Sequence, residues 1–229
     1  MAGDIYYFTI KVPDLERGRQ FYSELLGWTF DKSPTHGEDL SPVGGFHASD
    51  IASIQVWFHV PDVASAIMAV RANGGTSTDV MESPSGWHAD CDDGAGTAFS
   101  IGTLRPGFTE IRPPSKAHGN LGYFVIPVRD LERAKQFFRT VFGWEYAAEH
   151  SHDTYAHVGN TDPGGGIVGD DGNAREAWFR VDDIHTAVEK VQRLGGEAPL
   201  PTKSGSGWSA ACRDDQGVAL NLWKPAPGL

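Results

Sequence analysis

From Tyr7 to Val12 apolar and polar positions alternate, with Phe8, Ile10 and Val12 on one side and Tyr7, Thr9 and Lys11 on the other. A period of two predicts a half-buried strand. The rhythm then changes. Asp14 offers a helix N-cap, Leu15, Phe21, Tyr22, Leu25 and Leu26 recur at helical spacing, and Gly27 stops the run. Short strand-like stretches follow at 28–31, 45–48 and 51–54. The series then starts again. Residues 56–60 alternate, Asp62 caps a helix through 63–73, Gly74 and Gly75 end it, and strands are expected near 76–81, 87–92 and 97–101. One strand, one helix and three strands, written twice, describes the first hundred residues.

The whole pattern is then repeated. A shift of 116 aligns "YYFTIKVPDLERGRQFYSELLGW" with "GYFVIPVRDLERAKQFFRTVFGW". A shift of 121 aligns "WFHVPDVASAIMAVRANGG" with "WFRVDDIHTAVEKVQRLGG", and "SPSGWHADCDDGAGTAFSIG" with "SGSGWSAACRDDQGVALNLW". The offset changes between blocks, so it marks a loop of different length within one shared architecture. Pro and Gly in "TLRPGFTEIRPPSKAHGN" mark the junction, giving halves at 1–114 and 115–229. The expected fold class is α+β, two tandem modules, each a cup-shaped mixed sheet with its helices outside. The Trp residues that end the matching helices, Trp28 and Trp144, are expected to pack as scaffold against their own modules.

Composition narrows the partners. Lys plus Arg number 19 against 30 Asp plus Glu, a net charge of −11, which repels a phosphate backbone and excludes nucleic acid as the expected partner. The same acidity favours a neutral or cationic small-molecule ligand. The chain has no signal-like start and no apolar run of membrane-spanning length, so a cytoplasmic protein without membrane contact is expected. Cys91 and Cys212 are equivalent under the repeat, so they are expected as separate buried residues and not as a disulfide. The duplication makes a monomer sufficient, though a homodimer is equally compatible.

The paired strand–helix–three-strand units, the "DLER" helix entry, the Phe-Gly-Trp that follows the helix and the later D-x-x-G turn resemble the vicinal oxygen chelate superfamily. That group includes glyoxalase I, extradiol dioxygenases and the bleomycin- and fosfomycin-resistance proteins. The resemblance implies two βαβββ units per module and, in catalytic relatives, a divalent metal held by His and carboxylate side chains on cup-facing strand positions. The implied positions here are Tyr7, Gln55 and Ser100 in the first half, and Tyr123, Glu176 and Asn221 in the second. Glu176 alone is an ordinary metal ligand, so no metal cofactor is expected.

Other residues offer chemistry at the same faces. Alternation places Gln55, Trp57 and His59 opposite the core-facing Phe58 and Val60, and "WHADCD" adds His88 and Asp90. His59, His88 and Asp90 would make a non-standard metal or acid/base site, or else polar wall. In the second half the equivalents are Arg180, Ser209 and Ala211. There Glu176 and Arg180 either pair on a solvated face, or Arg180 anchors an anion or carbonyl beside Trp178. His150, His152 and His157 in "HSHDTYAH" read as loop and strand edge. Trp57, Trp178, Trp223, Tyr7 and Tyr123 fall on the expected concave faces, where aromatic rings suit a planar ligand. Together these features favour metal-independent binding of a small aromatic molecule, as in the bleomycin-resistance branch. The alternative is a lyase, isomerase or oxygenase using His59, His88 or Glu176.

Overall fold

The computed structural model describes residues 2–108, 116–169 and 176–229, the side chain of Glu176 excepted. The junction at Pro114 and Ser115 lies outside the described residues. The first half runs β1 (Ile5–Val12), α1 (Leu15–Leu26), β2 (Val43–Ala48), β3 (Ser53–His59), α2 (Val63–Ala72), β4 (Thr76–Ser77), β5 (Met81–Ser83), β6 (Gly86–Asp92) and β7 (Ala98–Leu104). The second half runs β8 (Leu121–Val128), α3 (Leu131–Phe142), β9 (Tyr146–His152), β10 (Tyr155–Val158), β11 (Gly164–Gly169), β12 (Glu176–Arg180), α4 (Ile184–Arg193), β13 (Thr202–Ser204), β14 (Gly207–Arg213) and β15 (Ala219–Pro225).

All four helices start as the sequence predicts. Asp14, Asp62, Asp130 and Asp183 are extended N-caps whose carboxylates accept from backbone N–H groups of the first turn. Gly27 and Gly143 end α1 and α3 in the left-handed conformation, at φ 75° and 72°. The strands form two mixed sheets, ordered β2-β1-β3-β7-β6-β4, with β5 also on β6, and β13-β14-β15-β12-β8-β11-β10-β9. This is the expected α+β architecture.

Three local expectations differ from the structure. Residues 28–31 form no strand, because the chain leaves α1 through a loop that reaches the sheet only at β2. The separate strand at 51–54 merges into β3. "HSHDTYAH" spans β9, β10 and the turn between them: β9 is the edge strand of its sheet, as expected, and pairs antiparallel with β10 through His152 opposite Tyr155 with a register shift before His157, so the loop is confined to residues 153–154.

The compact units of the fold are not the sequence halves. One unit gathers 1–7, 56–110 and 125–175, and the other 8–55, 111–124 and 176–229. Each unit therefore draws one strand–helix stretch from each half of the repeat. In the second unit, Trp28 stacks on Tyr22 at 5.2 Å and meets Phe179, from the other sequence half, at 5.6 Å. Its indole N–H donates to the carbonyl of Gly119 at 2.9 Å. In the first unit, Trp144 meets Phe138 at 5.0 Å and Phe58 at 5.4 Å, and donates to the carbonyl of Gly3 at 3.2 Å. Both tryptophans are buried scaffold, and each packs within its own half, as expected, and across the repeat as well.

The helix-entry arginines follow the same rule. Arg17 of α1 pairs with Asp215 at 2.7 Å, in the turn between β14 and β15. Its counterpart Arg133 of α3 donates to the carbonyl of Asp93 at 2.7 Å, in the turn between β6 and β7. Both turns are organised by a buried carboxylate: Asp93 accepts from the N–H groups of Ala95 and Thr97, and Asp214 from those of Gln216 and Val218. Burial raises the Asp214 carboxyl above its usual range, and burial with Asp214 alongside raises the Tyr22 phenol that donates to it.

Phe21 and Phe137 are equivalent core rings, 2% and 3% exposed. Replacing either with Ala is expected to lower the unfolding free energy by about 3–5 kcal/mol in a urea titration; a loss under about 1 kcal/mol would contradict the core assignment. Cys91 and Cys212 are buried free thiols, each pushed by burial up to about 12. Thiolate is the reactive species. Neither should therefore react with a thiol reagent at pH 8 in the folded protein, and both should react in denaturant.

Candidate functional sites on the two sheet faces

Strand register builds two equivalent lattices. In the first unit β3 pairs parallel with β7, and β7 pairs antiparallel with β6. Phe58, Phe99 and Ile101 point one way, where Phe99 meets Phe137 and Phe138 of α3. The alternate residues share the opposite face. Their register gives two cross-strand rows, Trp57–Ser100–Asp90 and His59–Gly102–His88.

The first row is tied by a hydrogen bond from the Ser100 hydroxyl to the Asp90 carboxylate at 2.6 Å. Trp57 stands edge-on to Tyr7 at 6.3 Å and to His88 at 5.3 Å. In the second row Gly102 has a steric reason to be glycine: a Cβ there would collide with the Tyr6 hydroxyl and the carbonyl of Trp87. Tyr6 is 8% exposed, and its ring lies 6.2 Å from that of His59. Its hydroxyl thus stands over the row between two imidazole positions. Tyr6 is absent from the expected site, because strict alternation assigns the face to Tyr7. The missed signal is the glycine between two histidine positions, which leaves space for a ring from a neighbouring strand.

In the second unit β12 pairs parallel with β15, and β15 antiparallel with β14. The rows are Trp178–Asn221–Ala211 and Arg180–Trp223–Ser209. Each lies 121 positions from its counterpart in the first lattice. Tyr123 stands edge-on to Trp178 at 6.5 Å and to Trp223 at 6.3 Å. The Arg180 guanidinium lies over the Trp223 ring at 4.9 Å and donates to the carbonyl oxygen of Leu229 at 2.9 Å. Burial lowers the Arg180 pKa. The Trp178 indole N–H is buried without a hydrogen-bond partner. Glu176 opens β12, and its side chain lies outside what is described. Gln55 is on β3 in the other compact unit from Trp57.

The donor sets do not fit the metal that the fold implies. Ser100 is hydroxyl, Gln55 and Asn221 are amides, and Tyr7 and Tyr123 are phenols. Glu176 alone matches the imidazole and carboxylate donors that hold first-row divalent ions, and one such donor does not make a site. Among the described residues no three His, Cys, Asp or Glu side chains gather as a metal site. His59, His88 and Asp90 share a face yet do not form the ligand set considered from sequence. Asp90 is instead engaged with Ser100, and the two imidazoles flank Gly102. His150 and His157 form an edge-on pair at 5.5 Å, while His152 lies against Tyr155. The neighbouring His150 adds to burial in lowering the His157 pKa.

Comparison with known proteins agrees with this architecture. Residues 121–156 match the family described as bleomycin resistance protein-like N-terminal. A glyoxylase-like domain-containing protein of Didymella fabae is 28% identical over 91 residues, covering 35% of this chain and 71% of its own. Among solved structures, the 2,3-dioxygenase LapB from Pseudomonas sp. KL28 matches with a TM-score of 0.68 at 17% identity, covering all of this chain and 96% of its own. The Mn(II)-bound glyoxalase from Novosphingobium aromaticivorans matches with a TM-score of 0.70 at 12% identity, over 96% of this chain and 81% of its own. At these identities the structural likeness is one of fold. The described residues also contain no helix long and apolar enough to cross a membrane. The chain thus shares the fold of these dioxygenase and glyoxalase structures, and parts of it are similar in sequence to bleomycin resistance protein-like and glyoxylase-like domains.

Proposed function

We propose that the protein binds a small planar organic molecule against the aromatic face of its second module, with no metal at the positions that hold one in catalytic relatives. The observation that carries this reading is the Tyr123, Trp178 and Trp223 cluster with Arg180 stacked on it. Aromatic contact with a planar guest contributes about 0.5–1.5 kcal/mol per pair beyond area burial. Of the matching positions for metal ligands in this module, Tyr123 and Asn221 are phenol and amide, which suit hydrogen bonds to a neutral guest, and the single carboxylate of Glu176 does not make up the ligand set that holds a divalent ion. Sequestration by such a face needs no chemical step, as the bleomycin-resistance resemblance implies.

The reading is tested by intrinsic tryptophan fluorescence against a panel of bicyclic aromatic compounds, with and without EDTA. Saturable quenching that EDTA leaves unchanged, and that weakens roughly tenfold in Trp223→Ala, is expected from loss of one stacking partner. No saturable ligand, or binding abolished by EDTA, would overturn it.

A second reading, an acid/base enzyme, is favoured by one feature of the first module: the Tyr6 hydroxyl over the His59–Gly102–His88 row. A phenol and two imidazoles supply proton donors and acceptors without a metal. The glyoxalase and dioxygenase names of the structural relatives agree with an enzyme of some kind. Tyr6→Phe should perturb the imidazole proton resonances of both His59 and His88 in NMR spectra. If only His59, its ring neighbour, responds, the three groups do not form one cluster.

A further inference from the structure

We infer that the β9–β10 hairpin carries an exchangeable site for one first-row divalent ion of the imidazole-preferring group, Zn(II), Ni(II) or Cu(II), chelated by His150 and His157. The site is on other strands than the planar-ligand face, which is built from β8, β12 and β15, and it does not depend on that reading.

The hairpin is shaped to bring these two side chains together. Its pairing passes from His152 opposite Tyr155 to Ala147 opposite His157, so β9 advances five residues while β10 advances two. The extra residues form a bulge that contains His150. Ser151 ties the bulge down: its hydroxyl donates to the Ala147 carbonyl at 2.6 Å and accepts from the His157 N–H at 3.0 Å. Bulges at sheet edges re-aim side chains, and β9 is an edge strand. The result is an edge-on imidazole pair with ring centres 5.5 Å apart.

That separation suits a chelate. A divalent ion about 2.1 Å from each ligating nitrogen lies about 3.2 Å from each ring centre, so two imidazoles at a tetrahedral angle have centres about 5 Å apart. His150 is exposed and His157 half-buried, which lets an ion arrive from solvent onto one well-held ring. Ligation takes one nitrogen of each ring and leaves the other to its own hydrogen bonds, as is usual for metal-bound histidine. Burial and the neighbouring His150 lower the His157 pKa, with Glu149 opposing, and the lower value favours the neutral ring that ligates.

The pair is not part of the repeated scaffold. Between α1 and β2 the first half has a single histidine, His36, at the corresponding stage of the chain. Two side-chain ligands agree with the absence of a three-donor cluster among the described residues. Water then completes the coordination, which makes the ion exchangeable. Imidazole donors without carboxylates select against Mg(II) and Ca(II), which take oxygen ligands.

The test uses the full chain without a His-tag, titrated calorimetrically with zinc chloride in a non-chelating buffer at pH 7.5, with magnesium chloride as the control. Zinc should bind, magnesium should not, and zinc affinity should fall about tenfold or more in both His150→Ala and His157→Ala. His152→Ala, whose ring lies against Tyr155, should bind zinc as the unaltered protein does. In NMR spectra of the unaltered chain, zinc should shift the imidazole proton resonances of His150 and His157 together, a readout that needs no variant to fold. Zinc binding that survives either substitution, an equal loss in His152→Ala, an equal response to magnesium, or resonances of only one ring moving overturns the chelate. EDTA should strip this ion and leave planar-ligand binding unchanged, so the two readings fail separately.

Discussion

The fold depends on an exchange between equivalent elements. Each compact unit closes its core with aromatic rings from both halves of the sequence, Phe8, Tyr22 and Trp28 with Phe179 in one, and Phe58 and Phe99 with Phe137, Phe138 and Trp144 in the other. A half of this length would bury too little apolar surface on the outer side of its own sheet, and the partner's helix supplies what is missing. This explains why "DLER", the aromatic pair and Gly-Trp are kept in both copies. Arg17 and Arg133 reach the turn of the opposite half, as do the aromatic rings that follow them. A change in one copy would have to be matched at a distant point of the other, so the scaffold is constrained in pairs.

The inner sheet faces carry no such constraint. Register fixes where the side chains stand, and the two copies place Trp57 and Trp178 at the same lattice point. Around that point they differ at almost every position: Ser100 against Asn221, Asp90 against Ala211, His59 against Arg180, Gly102 against Trp223 and His88 against Ser209. One face became polar and titratable, the other aromatic and cationic. Duplication held the backbone still while side chains that do not serve the shared core changed freely, which is how one fold comes to host unrelated chemistries.

Much of this was legible in the sequence because it rests on local rules. The four Asp caps, the Gly stops and the alternation of β3 and β6 follow from hydrogen-bond and steric preferences that act over a few residues. Those rules put Trp57, His59, His88 and Asp90 together on one sheet face, and Trp178 and Arg180 on its counterpart, as the register also does. What was not legible is long-range. Packing of Trp28 against Phe179, or of Trp144 against Phe58, depends on which helix covers which sheet, and periodicity within one half is silent on that. Tyr6 was missed for a related reason: its hydroxyl reaches a row on other strands, through space left by a glycine. The loop at 28–31 defeated the pattern differently, since its apolar residues pack without joining a ladder.

Charge gives the last instance of local structure overriding an average. An acidic chain would be expected to turn away anions, yet Arg180 sits where solvent, which normally screens and satisfies a guanidinium, is largely excluded. Burying such a group costs free energy, against which stand the stacking on the Trp223 ring and the bond to the Leu229 backbone oxygen. A stability optimum at this point would more simply use an apolar residue, as replacement of buried charges by well-packed apolar groups often stabilises a protein. Stacking on Trp223 and the bond to the Leu229 backbone oxygen hold that desolvated group in one orientation.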